Sequence, residues 1–300
     1  MTIDLKSLTT ETRNSKTMNL DQMSTRQFLE VMNEEDQGVA IAVREQLGEI
    51  EKAVQATIAS FNAGGRIIYL GAGTSGRLGV LDAVECPPTY GTAPEEVVGL
   101  IAGGEAAFVK AVEGAEDSEE LAVADLKSIQ LTANDTVVGI AASGRTPYVI
   151  GGLVYANELG AKTVAVSCNK NAKISDYAMH AKIEVDAGPE VVTGSTRLKA
   201  GTAQKLVLNM ISTATMVGIG KVFNNLMVDV QLTNLKLVER AKKIVMDATD
   251  CDYATAEATL AQAEQKPKVA IVMILAGVGA DQAHALLAQT NGFVAKAIQA

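Results

Sequence analysis

The chain has 300 residues, enough for one large α/β unit with a small appendage, and at 48% hydrophobic with 26 glycines and six prolines it carries ample apolar material for a core. Its formal charge of −9 repels nucleic acid and anionic membrane surfaces, so an anionic ligand needs a local site. Cys86, Cys168 and Cys251 are widely separated, with no C-x-x-C and no histidine at metal-ligand spacing, which reads as three free thiols in a reducing compartment and no metal centre.

The opening MTIDLKSLTTETRN mixes charges and hydroxyls and holds no apolar stretch of signal-peptide length; disorder is expected only here. No window is long enough and free enough of charge to span a bilayer, and the expectation is a cytoplasmic protein. Ser24 followed by Gln27 reads as a capping box that opens a helical pattern running, with one break, to Phe61. Ile41, Leu47, Ile50, Val54, Ile58 and Phe61 are its expected buried stripe.

Gly64 and Gly65 stop that helix, and the apolar run Arg66 to Leu70 suits a strand buried on both faces. It leads straight into GAGTSGR. The cycle of strand, Gly/Ser loop and helix recurs at Val97 to Ile101, at Thr136 to Ala141 ending in ASGRTP, and at Thr163 to Ser167, which predicts a doubly wound parallel sheet flanked by helices. After Ile183 to Val185 a long apolar helix ends near Gly220 and another runs from about Val230 to Val245. From Thr249 the pattern is of short helices, a small bundle behind a boundary near 248: a catalytic domain over 1–248 and a helical one over 249–300.

In such a sheet ligands bind beyond the carboxyl ends of the strands. Gly71, Gly73 and Gly76 formally match the dinucleotide pattern, but Pro87 and Pro88 are expected to end the next helix after barely two turns, too short for a nucleotide crossover. Thr74 and Ser75 suit a sugar or phosphate better. The second loop, Ser143, Gly144, Arg145 and Thr146, precedes a helix whose first turn holds Pro147, and the remaining amides there can meet an anion without a metal. A third stretch, Thr193 to Lys205, gathers Thr193, Ser195, Thr196, Arg197, Lys199, Thr202 and Lys205, better explained in so acidic a chain by an anionic ligand than by a solvated helix start.

The acid–base candidates are carboxylates, since His180 beside a strand and His284 in the terminal bundle read as structural or surface residues. Glu85 is the stronger by position, pinned before two prolines at the end of a short helix that returns it to the ligand. Glu116 shares a charged helix start with Glu119 and Glu120, which spacing alone reads as solvated.

The segments GAGTSGRLGVLDAVECPPTYG, AVEGAEDS, GIAASGRTPYV and VVTGSTRLKAGTAQKLVLNM resemble the N-acetylmuramic acid 6-phosphate etherases, as do LTTETRN and KVFNNLMVDV. The resemblance covers about residues 8 to 245, and the terminal bundle resembles the small UBA-like helical domain of that family. It implies a sugar isomerase (SIS) fold with a five-stranded parallel sheet, a homodimer with sites near the subunit interface, no cofactor, and a phosphorylated amino-sugar substrate whose lactyl ether is cleaved in cell-wall recycling. By motif it places Glu85 and Glu116 on the two catalytic glutamates, Glu85 on the residue usually assigned as acid toward the ether oxygen. It also makes Gly73, Thr74, Ser75, Ser143, Gly144, Arg145, Thr146, Ser195 and Lys199 the expected sugar and phosphate contacts. A regulatory sugar-phosphate sensor and an aldose–ketose isomerase on the same fold are the competing readings.

Overall fold

The computed structural model describes residues 8–110, 112–232 and 234–300; the first seven residues, including half of the opening stretch where disorder is expected, lie outside the described residues. The Ser24 capping box forms as the sequence predicts, with Gln27 reciprocating, and opens α1 (Thr25–Arg44). The break falls at Glu45 and Gln46, and α2 (Leu47–Asn62) follows. Of the expected stripe, Ile50 is buried and Val54, Ile58 and Phe61 are half-buried, but Ile41 and Leu47, on either side of the break, are exposed, and Val39 and Val43 are buried on α1 in their place.

The strands β1 (Ile67–Gly71), β2 (Val97–Ile101), β3 (Thr136–Ala141), β4 (Lys162–Ser167) and β5 (Ala181–Glu184) form one parallel sheet in the order β2-β1-β3-β4-β5. Pairing is continuous, from Ile67 opposite both Val97 and Thr136 to Val164 opposite Ala181. Alternation sends the two faces to different helices. Ile68, Leu70 and Val137 pack with Leu126 of α5 (Glu119–Ser128) and with Tyr148 and Leu153 of α6 (Pro147–Leu159). Tyr69 turns the other way, where its hydroxyl donates to buried Asp82 at 2.8 Å and α3 (Gly73–Tyr90) crosses the strand. The short α4 (Glu105–Val109) follows edge strand β2, and its last carbonyls accept from Arg77 of α3.

The expected end of α3 is not observed. α3 does not stop at the prolines but runs eighteen residues through Pro87 and Pro88 to Tyr90. Two prolines delete two ladder bonds, yet so near the end only one turn depends on them, and the Gly91 amide closes it on Pro87 O at 2.9 Å. The short-helix argument against a nucleotide therefore does not stand, and Glu85 lies in the late turns of a long helix rather than at the end of a short one.

The chain divides into two compact units, one of residues up to Val84 with Glu95–Ser212, the other of Glu85–Pro94 with Thr213–Ala300. The helix α7 (Lys199–Gly218) runs from the first into the second. The second unit has its own core, in which Phe223 of the hairpin β6–β7 (222–223 and 226–227) and Val228 and Val230 just after it pack with Ile244 and Val245 of α8 (Leu235–Thr249). Helices α9 (Tyr253–Gln262), α10 (Pro267–Ala276), α11 (Ala280–Gln289) and α12 (Val294–Ala297) complete it. Position 248 thus falls in the last turn of α8, inside this unit.

At the amino ends of the strands Asp135, 1% exposed, joins β1 to β3: it accepts from Arg66 N and Nη2 at 2.8 Å each and from Thr132 N at 2.8 Å. Burial pushes this carboxyl up, but the Arg66 guanidinium and the Thr132 amide outweigh burial and hold it below the usual aspartate value. A lowered folded pKa adds stability that is present above the ordinary value and lost as pH falls through the folded one. Asp135→Asn is therefore expected to cost about 3 kcal/mol at neutral pH. In urea unfolding the deficit should narrow below about pH 4, and a deficit equal at pH 7 and pH 3 would exclude this carboxylate as its source.

Candidate active site

The site is built where β3 ends. Ala141 passes into the turn Ala142 to Thr146, and α6 opens at Pro147. Gly144 makes the turn: its φ is +70°, and a Cβ there would lie 2.4 Å from the Ala172 Cβ, so no side chain fits. Its amide donates to Ala141 O and its carbonyl accepts from Ile174 N, each at 2.9 Å. Ser143 Oγ accepts from Arg145 N at 3.3 Å. Thr146 supplies no side-chain cap and proline stands at the first helical position, so the next amides of α6 have neither an intrahelical partner nor a bond to the Thr146 side chain.

A cavity of about 220 Å³ opens on this turn, lined by Ser143, Arg145, Thr146, Glu116, Leu8 and Glu11 among others. Glu116 reaches it from a single 3-10 turn, Ala115–Asp117, that precedes α5; buried Ala115 anchors the turn and the Ser118 hydroxyl caps α5 by accepting from Leu121 N at 3.1 Å. Gly151 lets α5 approach α6, since a Cβ there would lie 2.5 Å from Glu119 O. Glu116 is exposed, as its spacing beside Glu119 and Glu120 suggests, and it also lies at the rim of this cavity, which spacing does not reveal.

Leu8 and Glu11 of the cavity lining belong to the segment Leu8 to Asn14. Buried Asn169, just after β4, accepts from Thr10 N at 3.3 Å and donates to Thr10 Oγ1 at 3.0 Å and Ala142 O at 2.9 Å, tying the segment to the Ser143 turn. Asn14 donates to Glu35 Oε2 at 2.8 Å and to Pro189 O at 3.2 Å. Nothing in composition or spacing marks Asn169, a lone amide after an apolar strand.

The other expected contacts fall elsewhere in the same unit. Gly73 opens α3, with Thr74 and Ser75 in its first turn; Ser75 is buried and donates to Gln204 Oε1 at 3.0 Å, so this loop packs on α7. Lys199 is 3% exposed at its side chain and pairs with Glu35 at 2.7 Å. Glu190 accepts from Lys199 N and Ala200 N, both at 2.9 Å, so the start of α7 is already filled by a carboxylate of the chain itself. Burial raises the Glu35 carboxyl, but Lys199, Lys16 and Asn14 together bring it to about 2, a permanent anion for the buried lysine. Ser195 sits in the turn before α7, next to Gly194, whose Cβ position lies 3.4 Å from Glu11 Oε2. Glu85 is exposed on α3, in the second unit.

Of the two histidines, His180 accepts from Thr163 N beside the sheet and His284 lies on α11, the structural places the sequence suggests. Among the described residues no three His, Cys, Asp or Glu side chains are grouped to hold a metal ion, and no single helix is long and apolar enough to cross a membrane.

A family model described as SIS domain matches residues 115–214, and one described as Glucokinase regulatory protein N-terminal SIS domain matches 49–157. A phosphoheptose isomerase of known structure from Francisella tularensis shares the fold at a TM-score of 0.50 and 15% identity, covering 65% of this chain and 100% of that one. The parallel sheet, with its loops at the carboxyl ends of the strands, is that of a SIS-domain protein. The N-acetylmuramic acid 6-phosphate etherase of Geobacillus sp. (strain WCH70) is 64% identical over 98% of this chain and 100% of its own length. N-acetylmuramic acid 6-phosphate etherase 2 of Enterococcus faecalis (strain ATCC 700802 / V583) is 62% identical over 97% and 98%. The chain belongs to the N-acetylmuramic acid 6-phosphate etherase family.

Asn169→Ala removes both arms of the link between Leu8–Asn14 and the Ser143 turn. The expected loss is about 2 to 3 kcal/mol, with faster hydrogen exchange at Thr10 than at the β3 amides. Equal protection of Thr10 in variant and wild type would show that the segment is held without Asn169.

Proposed function

We propose that the chain cleaves the D-lactyl ether of N-acetylmuramic acid 6-phosphate by elimination and water addition, giving N-acetylglucosamine 6-phosphate and D-lactate. The observation that carries this reading within the molecule is the shared cavity: Glu116 lines it together with Ser143, Arg145 and Thr146 at the uncapped start of α6. A helix start of this kind is a ready cradle for a phosphate, since its amides donate and its dipole is positive there.

With the phosphate on Ser143, Gly144, Arg145 and Thr146, the carboxylate has the sugar carbons within its reach. Ring opening exposes an aldehyde at C1 and acidifies the C2 proton. One glutamate removes that proton, the C3–O bond breaks, and the departing lactate oxygen takes a proton from the other acid; water then adds at C3 and C2 is reprotonated. Glu116 and Glu85 share these exchanges in the proposed scheme, Glu85 as the acid toward the ether oxygen, its part resting on the family motif ECPPTYG. Gly73, Thr74, Ser75 and Ser195 complete the sugar contacts, and Lys199 acts through the fold by its pairing with Glu35. The working form is a homodimer in the cytoplasm, serving amino-sugar recycling.

The pure protein incubated with N-acetylmuramic acid 6-phosphate and EDTA is expected to release D-lactate; an isomerised sugar without lactate would make it an isomerase, and tight binding without turnover a sensor. Glu85→Gln and Glu116→Gln are each expected to lower kcat at least about 100-fold while still binding substrate. Near-normal turnover in either variant would remove that residue from the chemistry.

A further inference from the structure

We infer that Glu11 is a third substrate-contacting carboxylate, one that accepts hydrogen bonds from the sugar's hydroxyl or amide donors and so selects a sugar phosphate over phosphate alone. The inference rests on the sugar-phosphate reading above and extends it to a residue of the amino-terminal segment.

Glu11 lines the same cavity as Glu116, Ser143 and Arg145. It is only partly exposed, and among the described residues its carboxylate accepts no hydrogen bond from the protein, unlike Glu35 and Glu190, which are fully engaged. Its position is nonetheless imposed. The Glu11 amide closes a turn on Leu8 O at 3.0 Å, Thr10 is fixed by Asn169, and Thr9 Oγ1 donates to Asp186 Oδ2 at 3.4 Å. Against the carboxylate lies Gly194, with no side chain to satisfy it or displace it. A carboxylate held on a fastened segment, facing a cavity and left without a partner, offers acceptor lone pairs only. An anionic phosphate cannot use them; O–H and N–H groups can. The start of α6 at Thr146 and Pro147, which line the same cavity, has the reverse character, its uncapped amides being donors only. One cavity therefore offers acceptors at Glu11 and donors at the α6 start, matching the two ends of a phosphorylated sugar.

Calorimetric titration of wild type, Glu11→Ala and Glu11→Gln with N-acetylglucosamine 6-phosphate and, separately, with inorganic phosphate tests this. In Glu11→Ala the Kd for the sugar phosphate is expected to rise about tenfold or more, the scale of a hydrogen bond to a charged group. The Kd for inorganic phosphate should stay unchanged or fall, because a nearby negative charge is removed. Glu11→Gln, which keeps one acceptor oxygen, should lie between, with thermal unfolding unmoved in both variants. An unchanged sugar-phosphate Kd overturns the inference, and so does a parallel weakening of both ligands, which would mean only that the cavity had collapsed. Lactate release followed on the same samples separates this from the etherase reading: a wild type that binds the sugar phosphate yet releases no lactate refutes the etherase activity, while the ratio of the two Kd values still decides on Glu11. A wild type that binds neither ligand refutes both.

Discussion

The uncapped start of α6 is the constraint from which the site follows. A strand buried on both faces delivers the chain to the carboxyl edge of the sheet, Gly144 turns it through a conformation closed to side chains, and Pro147 begins a helix whose next amides have no partner within the turn. Such donors, with the positive end of the helix dipole behind them, suit an anion. Everything else in the cavity is placed relative to it. The α5 turn brings Glu116, and Asn169 fastens the Leu8–Asn14 segment by bonding to Ala142 at the root of the same turn.

The start of α7 shows the opposite solution to the same electrostatic problem. Its sequence, with lysines, arginine and hydroxyls before an apolar helix, resembles an anion site more strongly than the α6 start does. Yet Glu190 already bonds both leading amides, and Lys199, the cation best placed to assist, is spent on Glu35. A helix start can be completed by a ligand or by the chain's own carboxylate, and composition near the helix does not distinguish the two. What distinguishes them is a residue nine positions upstream, brought back by a turn.

The sheet was legible because its signal is local: each strand is a short apolar run bounded by glycine or polar residues, and a strand hidden on both faces needs no partner pattern to be recognised. The capping box at Ser24 and the glycine-marked turns were legible for the same reason. What escaped depended on distance or on compensation. The course of α3 through Pro87 and Pro88 could not be read from propensity, which registers the lost bonds but not their position in the last turn. The stripe across α1 and α2 failed only at Ile41 and Leu47, on either side of the two-residue break. Within the site, Ser143, Gly144 and Thr146 were visible from their loop. Glu116 needed the family motif; Asn169 was silent because its partners Thr10 and Ala142 lie far off in sequence, Glu190 because a turn brings it back to α7, and Glu11 because only the cavity marks it.

Charge balance explains why so acidic a chain can build this cavity. Glu11, Glu116 and Asp117 share it with a single arginine, Arg145, so the site would be a poor receptor for an anion if binding relied on net charge. Helix amides change the calculation, because their partial charges act within the first turn and fall off quickly. In the proposed pose a phosphate at the α6 start meets donors at contact distance, while the carboxylates of the cavity meet the uncharged hydroxyl and amide groups of the sugar. In the etherase reading the same asymmetry favours turnover. The lactyl carboxylate is tolerated near those acids while the ether holds it in place; once the C3–O bond breaks, a free anion facing fixed negative charge has every electrostatic reason to leave.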